Sequence, residues 1–139
     1  MKVNRHGRSK ILTIEEIQLL FSQGLTNSRD RALFAVMLFS ACRVREACTL
    51  LTADVYEASG RVRSEMIFRK GNTKGKLATR TIPVLEDLRL ILTDYLIEAG
   101  ELYLFPGRFG EGHIHSDSAA RILRKACASI GIIGASTHS

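Results

Sequence analysis

The hydrophobic pattern changes period along the chain, and each change predicts an element. LTIEEIQLLF places Ile14, Ile17 and Leu20 or Phe21 at helical spacing. Thr13 and Glu16 have capping-box spacing, so the hydroxyl can meet the Glu16 amide while the carboxylate answers, and Gly24 is placed to close the helix. In SRDRALFAVMLFSAC (28–42), Leu33, Phe34, Val36, Met37, Leu38 and Phe39 leave no polar face. A helix that is apolar all round belongs at the centre of a fold. A second helix, from about Arg43 to Leu50, follows almost without a break.

From 54 to 84 the residues become alternating and β-branched. EMIFRK and ATRTIPV flank GNTKGK, whose Gly71, Asn72 and Gly75 form turns readily, so the segment reads as a β-hairpin. A short strand near Asp54 to Tyr56 would make the sheet three-stranded and antiparallel. Pro83 ends the strand. Val84, Leu88, Ile91, Leu92, Tyr95 and Leu96 then follow helical spacing up to Gly100, and YLFPGRFGEGHIH is a glycine-rich loop. Ser116 or Asp117 is the expected cap of a last helix. Its Ala119, Ile122, Leu123, Ala126, Cys127 and Ile130 face inward, with Arg121, Arg124 and Lys125 on the other side. The fold class expected is α+β, mainly helical, with helices packed around a small sheet. There is no internal repeat.

The 139 residues suit one domain, and no run of 18 apolar residues spans a membrane. MKVNRHGRSK is too polar for a signal peptide, so a cytoplasmic protein is expected, with Cys42, Cys48 and Cys127 as reduced, buried thiols. The net charge of +6 changes the picture through its distribution. Residues 1–10 form a basic arm with Lys2, Arg5, Arg8 and Lys10. Residues 61–80 hold Arg61, Arg63, Arg69, Lys70, Lys74, Lys76 and Arg80 against a single acid, Glu65. Everything else has more acids than bases. Cations confined to two segments suggest a face for a polyanion. His113 and His115 alternate in the loop without a third ligand nearby, and they read as loop polarity rather than a metal site.

Two segments could carry chemistry. In SACRVREACTL, Arg43 follows the buried helix and Glu46 comes three residues later, within reach of its guanidinium. Such a charge is either half of a structural pair or aimed at an anion. In GNTKGKLATRTIPV, a lysine on the turn is either solvated or lowered beside a phosphate, where neighbouring cations could let it donate a proton.

Together these segments resemble the tyrosine recombinase, or phage integrase, family. RVREACTLLTADV is similar to the box that reads Arg-x-x-Glu-Leu, then a Leu-rich run and Asp-Ile or Asp-Val. LTIEEIQLL looks like the opening of the catalytic domain, and the basic hairpin ending in TRTIPV resembles the one carrying a catalytic lysine. Thr137-His138-Ser139 resembles the start of the His-x-x-Arg box. The resemblance runs from Lys10 to Ser139. It implies the catalytic domain of a DNA breaking–rejoining enzyme, with residues 1–10 as a linker and 11–139 as a partial catalytic domain whose C-terminal portion is missing.

The family's mechanism is implied in the same way. A tyrosine attacks a DNA phosphate, a 3′-phosphotyrosyl link forms, and a 5′-hydroxyl leaves. No metal or nucleotide cofactor takes part. Carried over, Arg43 clamps the phosphate, Glu46 supports it, His138 hydrogen-bonds the phosphate, and Lys74 protonates the leaving oxygen, with Lys76 and Lys70 as alternatives. Arg69, Lys70, Lys76 and Arg80 would bind DNA. The second arginine and the nucleophile have no counterpart; Tyr56, Tyr95 and Tyr103 do not fit the pattern. The partner is double-stranded DNA, in a homo-oligomeric recombination complex, with dimerisation of the fragment as a further expectation. The chain is therefore expected to be a DNA-binding, inactive fragment of a site-specific recombinase. The alternative is a short, non-catalytic protein that binds DNA or a recombinase and modulates recombination.

Overall fold

The computed structural model describes residues 11–69 and 79–134. Helix α1, Ile14–Leu19, opens on the expected capping box: Thr13 Oγ1 accepts from the Glu16 amide at 3.1 Å, and Glu16 Oε1 accepts from the Thr13 amide at 3.0 Å. The helix then widens into a π-type turn, Leu20–Gly24, closed by the Leu25 amide on the Leu20 carbonyl at 2.7 Å. Gly24 does more than end the helix. A Cβ there would lie 2.9 Å from Leu20 Cδ1 and 3.0 Å from the Ala126 carbonyl oxygen, so α1 and the last helix meet at this residue. Ile14 departs from the expected apolar face. It is 72% exposed, whereas Leu20 is fully buried.

Helix α2, Ser28–Ser40, is capped by Asn27 and buries Ala32 to Met37 without interruption. It is the central helix that its all-round apolarity predicts. It ends at Ala41, whose φ of 55° is left-handed. Helix α3, Val44–Cys48, follows after two residues.

Among the described residues the sheet has two strands rather than three. β1, Glu65–Phe68, pairs antiparallel with β2, Arg80–Pro83, placing Phe68 opposite Arg80. The expected third strand is a 3-10 turn, Thr52–Asp54, and Tyr56 contributes only a single bridge to Val62. Backbone hydrogen bonds close the turn, the Asp54 amide to the Leu51 carbonyl at 3.0 Å and the Val55 and Tyr56 amides to the Thr52 carbonyl at 3.1 and 3.0 Å, while the Asp54 carboxylate, 1% exposed, is committed to Arg69.

Helix α4, Glu86–Tyr95, buries Leu88, Leu92 and Tyr95 and packs on α2. Helix α5, Ser116–Ser129, buries Ala119, Leu123, Ala126 and Cys127 against α3 and the Leu20–Gly24 turn, leaving Arg121, Arg124 and Lys125 exposed. Its cap is His115, one residue before the expected Ser116 or Asp117. His115 Nδ1 accepts from the Asp117 amide at 3.1 Å. The three cysteines are free and buried, as the sequence suggests.

Candidate functional site

Arg43 stands at the N-terminus of α3 with extended backbone (φ −75°, ψ 155°), directly after the α2 turn. Ala41 reverses the chain, Cys42 is buried, and Arg43 emerges on the surface. Its guanidinium makes no hydrogen bond to the described residues. Its backbone, however, is tied down: the Arg43 amide donates to Glu46 Oε1 at 2.9 Å.

Glu46 therefore acts differently from the expectation. Its carboxylate, 5% exposed, does not hydrogen-bond the Arg43 guanidinium. It takes a two-pronged fork from Arg80, whose Nη1 donates to Oε2 at 2.6 Å and Nη2 to Oε1 at 3.1 Å. A planar guanidinium suits this bidentate geometry. Burial alone pushes the Glu46 carboxyl up, but the Arg80 fork, the Arg43 amide and the charges of both arginines together hold it below its ordinary range. The Arg80 guanidinium also stacks 4.8 Å from the centre of the Phe68 ring, across the β1–β2 pair. Sequence reasoning missed this partner because Arg80 lies 34 residues from Glu46 and only the strand pairing brings it back.

Arg69, at the end of β1, forms the matching contact with Asp54, Nε to Oδ2 at 2.8 Å and Nη2 to Oδ1 at 2.7 Å. Two of the cations assigned to DNA on sequence, Arg69 and Arg80, thus each hold a buried carboxylate. Lys70, Lys74, Lys76 and His138 lie outside the described residues.

A second group of cations comes together from distant parts of the chain. Arg29, Arg108 and Arg121 line a cavity of about 820 Å³ together with the imidazoles of His113 and His115 and with Glu111 as its acid, and Arg29 there donates to Asp30 Oδ1 at 2.9 and 3.0 Å. No local motif announces it. The cations sit on α2, on the glycine-rich loop and on α5, and only the packing of these elements joins them. His113 is engaged there, its Nδ1 2.8 Å from the Ile114 carbonyl and its ring edge-on to Tyr103 at 5.1 Å. Among the described residues no group of three His, Cys, Asp or Glu side chains is arranged to hold a metal ion.

Tyr56 and Tyr95 are placed for structure. The Tyr56 hydroxyl donates to the Leu92 carbonyl at 2.5 Å and that of Tyr95 to the Leu104 carbonyl at 2.9 Å, and both rings are buried. Burial raises both phenols, that of Tyr95 to about 12 with help from the Glu98 charge. A phenol that is buried, protonated and already donating to a carbonyl is a poor nucleophile.

No known protein-family model matches the chain. A tyrosine recombinase of Pseudothermotoga lettingae is 31% identical over 120 residues, which cover 84% of this chain and 38% of that protein. The crystal structure of XerA recombinase superimposes with a TM-score of 0.75 at 22% identity, covering 94% of this chain and 47% of the other. The chain thus spans less than half the length of either relative. At this identity the XerA likeness speaks to the fold, and the sequence match to the Pseudothermotoga protein speaks to the family. Over the part of that length which it spans, the chain belongs to the tyrosine recombinases.

Proposed function

We propose that this chain is the phosphate-clamping part of a site-specific DNA recombinase and that it binds duplex DNA without supplying the nucleophile. One observation carries the reading. The Arg43 guanidinium is exposed and makes no hydrogen bond to the described residues, while its own backbone is fixed by a buried carboxylate. A cation held in place but left open toward solvent is what an anionic transition state requires. In this reading Arg43 takes two non-bridging oxygens of a DNA phosphate. His138 hydrogen-bonds the same group, and a lysine of the 70–76 segment, Lys74 ahead of Lys76 and Lys70, protonates the leaving 5′ oxygen. The cavity lined by Arg108 and Arg121 adds positive charge suited to a phosphate backbone, while Arg29 at its wall is engaged by Asp30.

Fluorescence anisotropy with labelled duplex DNA over a range of salt concentrations tests the proposal. About five phosphate contacts give a log–log slope of roughly −4 to −5, and Arg43→Ala reduces its size by about 0.9. A slope near zero would reject DNA binding. A nicked suicide duplex is expected to give no covalent adduct, because Tyr56 and Tyr95 are locked inside the fold and Tyr103, though partly open, does not fit the family's pattern for the nucleophile. An adduct mapped to any of the three tyrosines would reject that half of the proposal.

A further inference from the structure

We propose that Arg80 is a positioning residue: it fixes Glu46, and through Glu46 the site of Arg43, and does not itself touch DNA. The inference rests on the DNA-clamping role proposed for Arg43. Its basis is a shared oxygen. Glu46 Oε1 accepts from the Arg43 amide at 2.9 Å and from Arg80 Nη2 at 3.1 Å, while Oε2 accepts from Arg80 Nη1 at 2.6 Å. The first turn of α3 and the first residue of β2 are thereby joined through one buried carboxylate. Arg80 is itself held from the other side by the Phe68 ring at 4.8 Å.

A guanidinium with both ends of its fork on a carboxylate has little left to offer a phosphate, and the paired charges largely cancel at a distance. What Arg80 supplies is orientation. With the fork gone, Glu46 is free to swing toward water, its hold on the Arg43 amide loosens, and the guanidinium loses its fixed origin. A displacement of about 1 Å is enough to weaken a contact of this kind severely.

Direct contact and positioning predict different salt titrations with duplex DNA. One phosphate contact contributes about 0.9 to the slope, or roughly eightfold in Kd near 0.1 M salt. If Arg80 positions Arg43, then Arg80→Ala, Arg80→Lys and Arg43→Ala each reduce the slope by up to that amount. Adding Arg80→Ala to Arg43→Ala then changes nothing further, to within about 1.5-fold in Kd. Glu46→Gln also weakens binding, although removing an acid from a DNA-binding face would otherwise tighten it. The proposal is overturned if Arg80→Lys retains the full slope and affinity, or if the effects of Arg43→Ala and Arg80→Ala multiply to roughly 64-fold. A purely structural role lowers the fraction of competent protein and leaves the slope unchanged, which also overturns it. Arg80→Lys and Glu46→Gln provide the comparison if Arg80→Ala does not fold. Failure of the underlying DNA reading is recognised separately, because the unsubstituted chain then shows no salt-dependent binding, and the positioning role falls with it.

Discussion

Glu46 and Asp54 are both buried carboxylates, and each receives a bidentate fork from an arginine on the two-stranded sheet: Arg80 at the start of β2 and Arg69 just past the end of β1. They differ in how much water reaches the cation. The Arg80 side chain is 37% exposed and lies against Phe68, whereas that of Arg69 is 55% exposed. They differ also in what else the carboxylate holds. Glu46 takes the Arg43 amide as well, while no second donor to the Asp54 carboxylate is found among the described residues. The same chemical pair therefore serves two purposes. One closes a turn at the edge of the fold, and the other joins three elements around a single arginine.

Substitution should separate the two. Arg80→Ala leaves the Glu46 charge buried beside one amide. Breaking a fully buried pair costs about 3–5 kcal/mol, and the partial exposure of Arg80 lowers the expected loss to about 2–3 kcal/mol in denaturant unfolding. Arg69→Ala should lower the melting temperature by less, since water already surrounds that guanidinium and can replace it. The opposite order would show that the Asp54 fork carries the sheet.

Acid sharpens the contrast further. The folded Glu46 carboxyl sits below its ordinary value of 4.5, so its contribution to stability is complete above about that pH and is lost as pH falls through the folded value. Glu46→Gln should flatten this part of an acid-unfolding profile, and an unchanged profile would contradict the assignment. The smallest effect is expected just upstream. Ala41 holds a left-handed backbone at φ 55° that glycine adopts without steric cost, so Ala41→Gly should stabilise the Arg43 junction by about 0.5–1 kcal/mol.

Local chemistry made parts of this structure legible in the sequence. The Thr13–Glu16 box involves residues three apart, and the continuous apolarity of 32–37 can be satisfied only at the centre. The candidate site was half legible. Arg43 was found from its place after the buried helix and from its resemblance to a known box. The partner of Glu46 was not, because Glu46 and Arg43 are near in sequence while Arg80 becomes a neighbour only after β1 and β2 pair. The missing third strand has a different cause. A propensity for extended backbone at 54–56 yielded to local turn hydrogen bonds onto the Leu51 and Thr52 carbonyls, beside a buried Asp54 carboxylate whose partner comes from residue 69. The basic cavity draws on α2, the glycine-rich loop and α5, so no window of sequence could contain it.

The fate of the tyrosines has a practical consequence. Of three phenols in the chain, two are sealed in and hydrogen-bonded to carbonyls, and only Tyr103 is partly open. Mild nitration followed by peptide mapping should therefore mark Tyr103 alone. Because its ring meets His113 edge-on at 5.1 Å, and His113 lines the basic cavity, the nitrophenol would become a built-in optical reporter of whatever anion enters there.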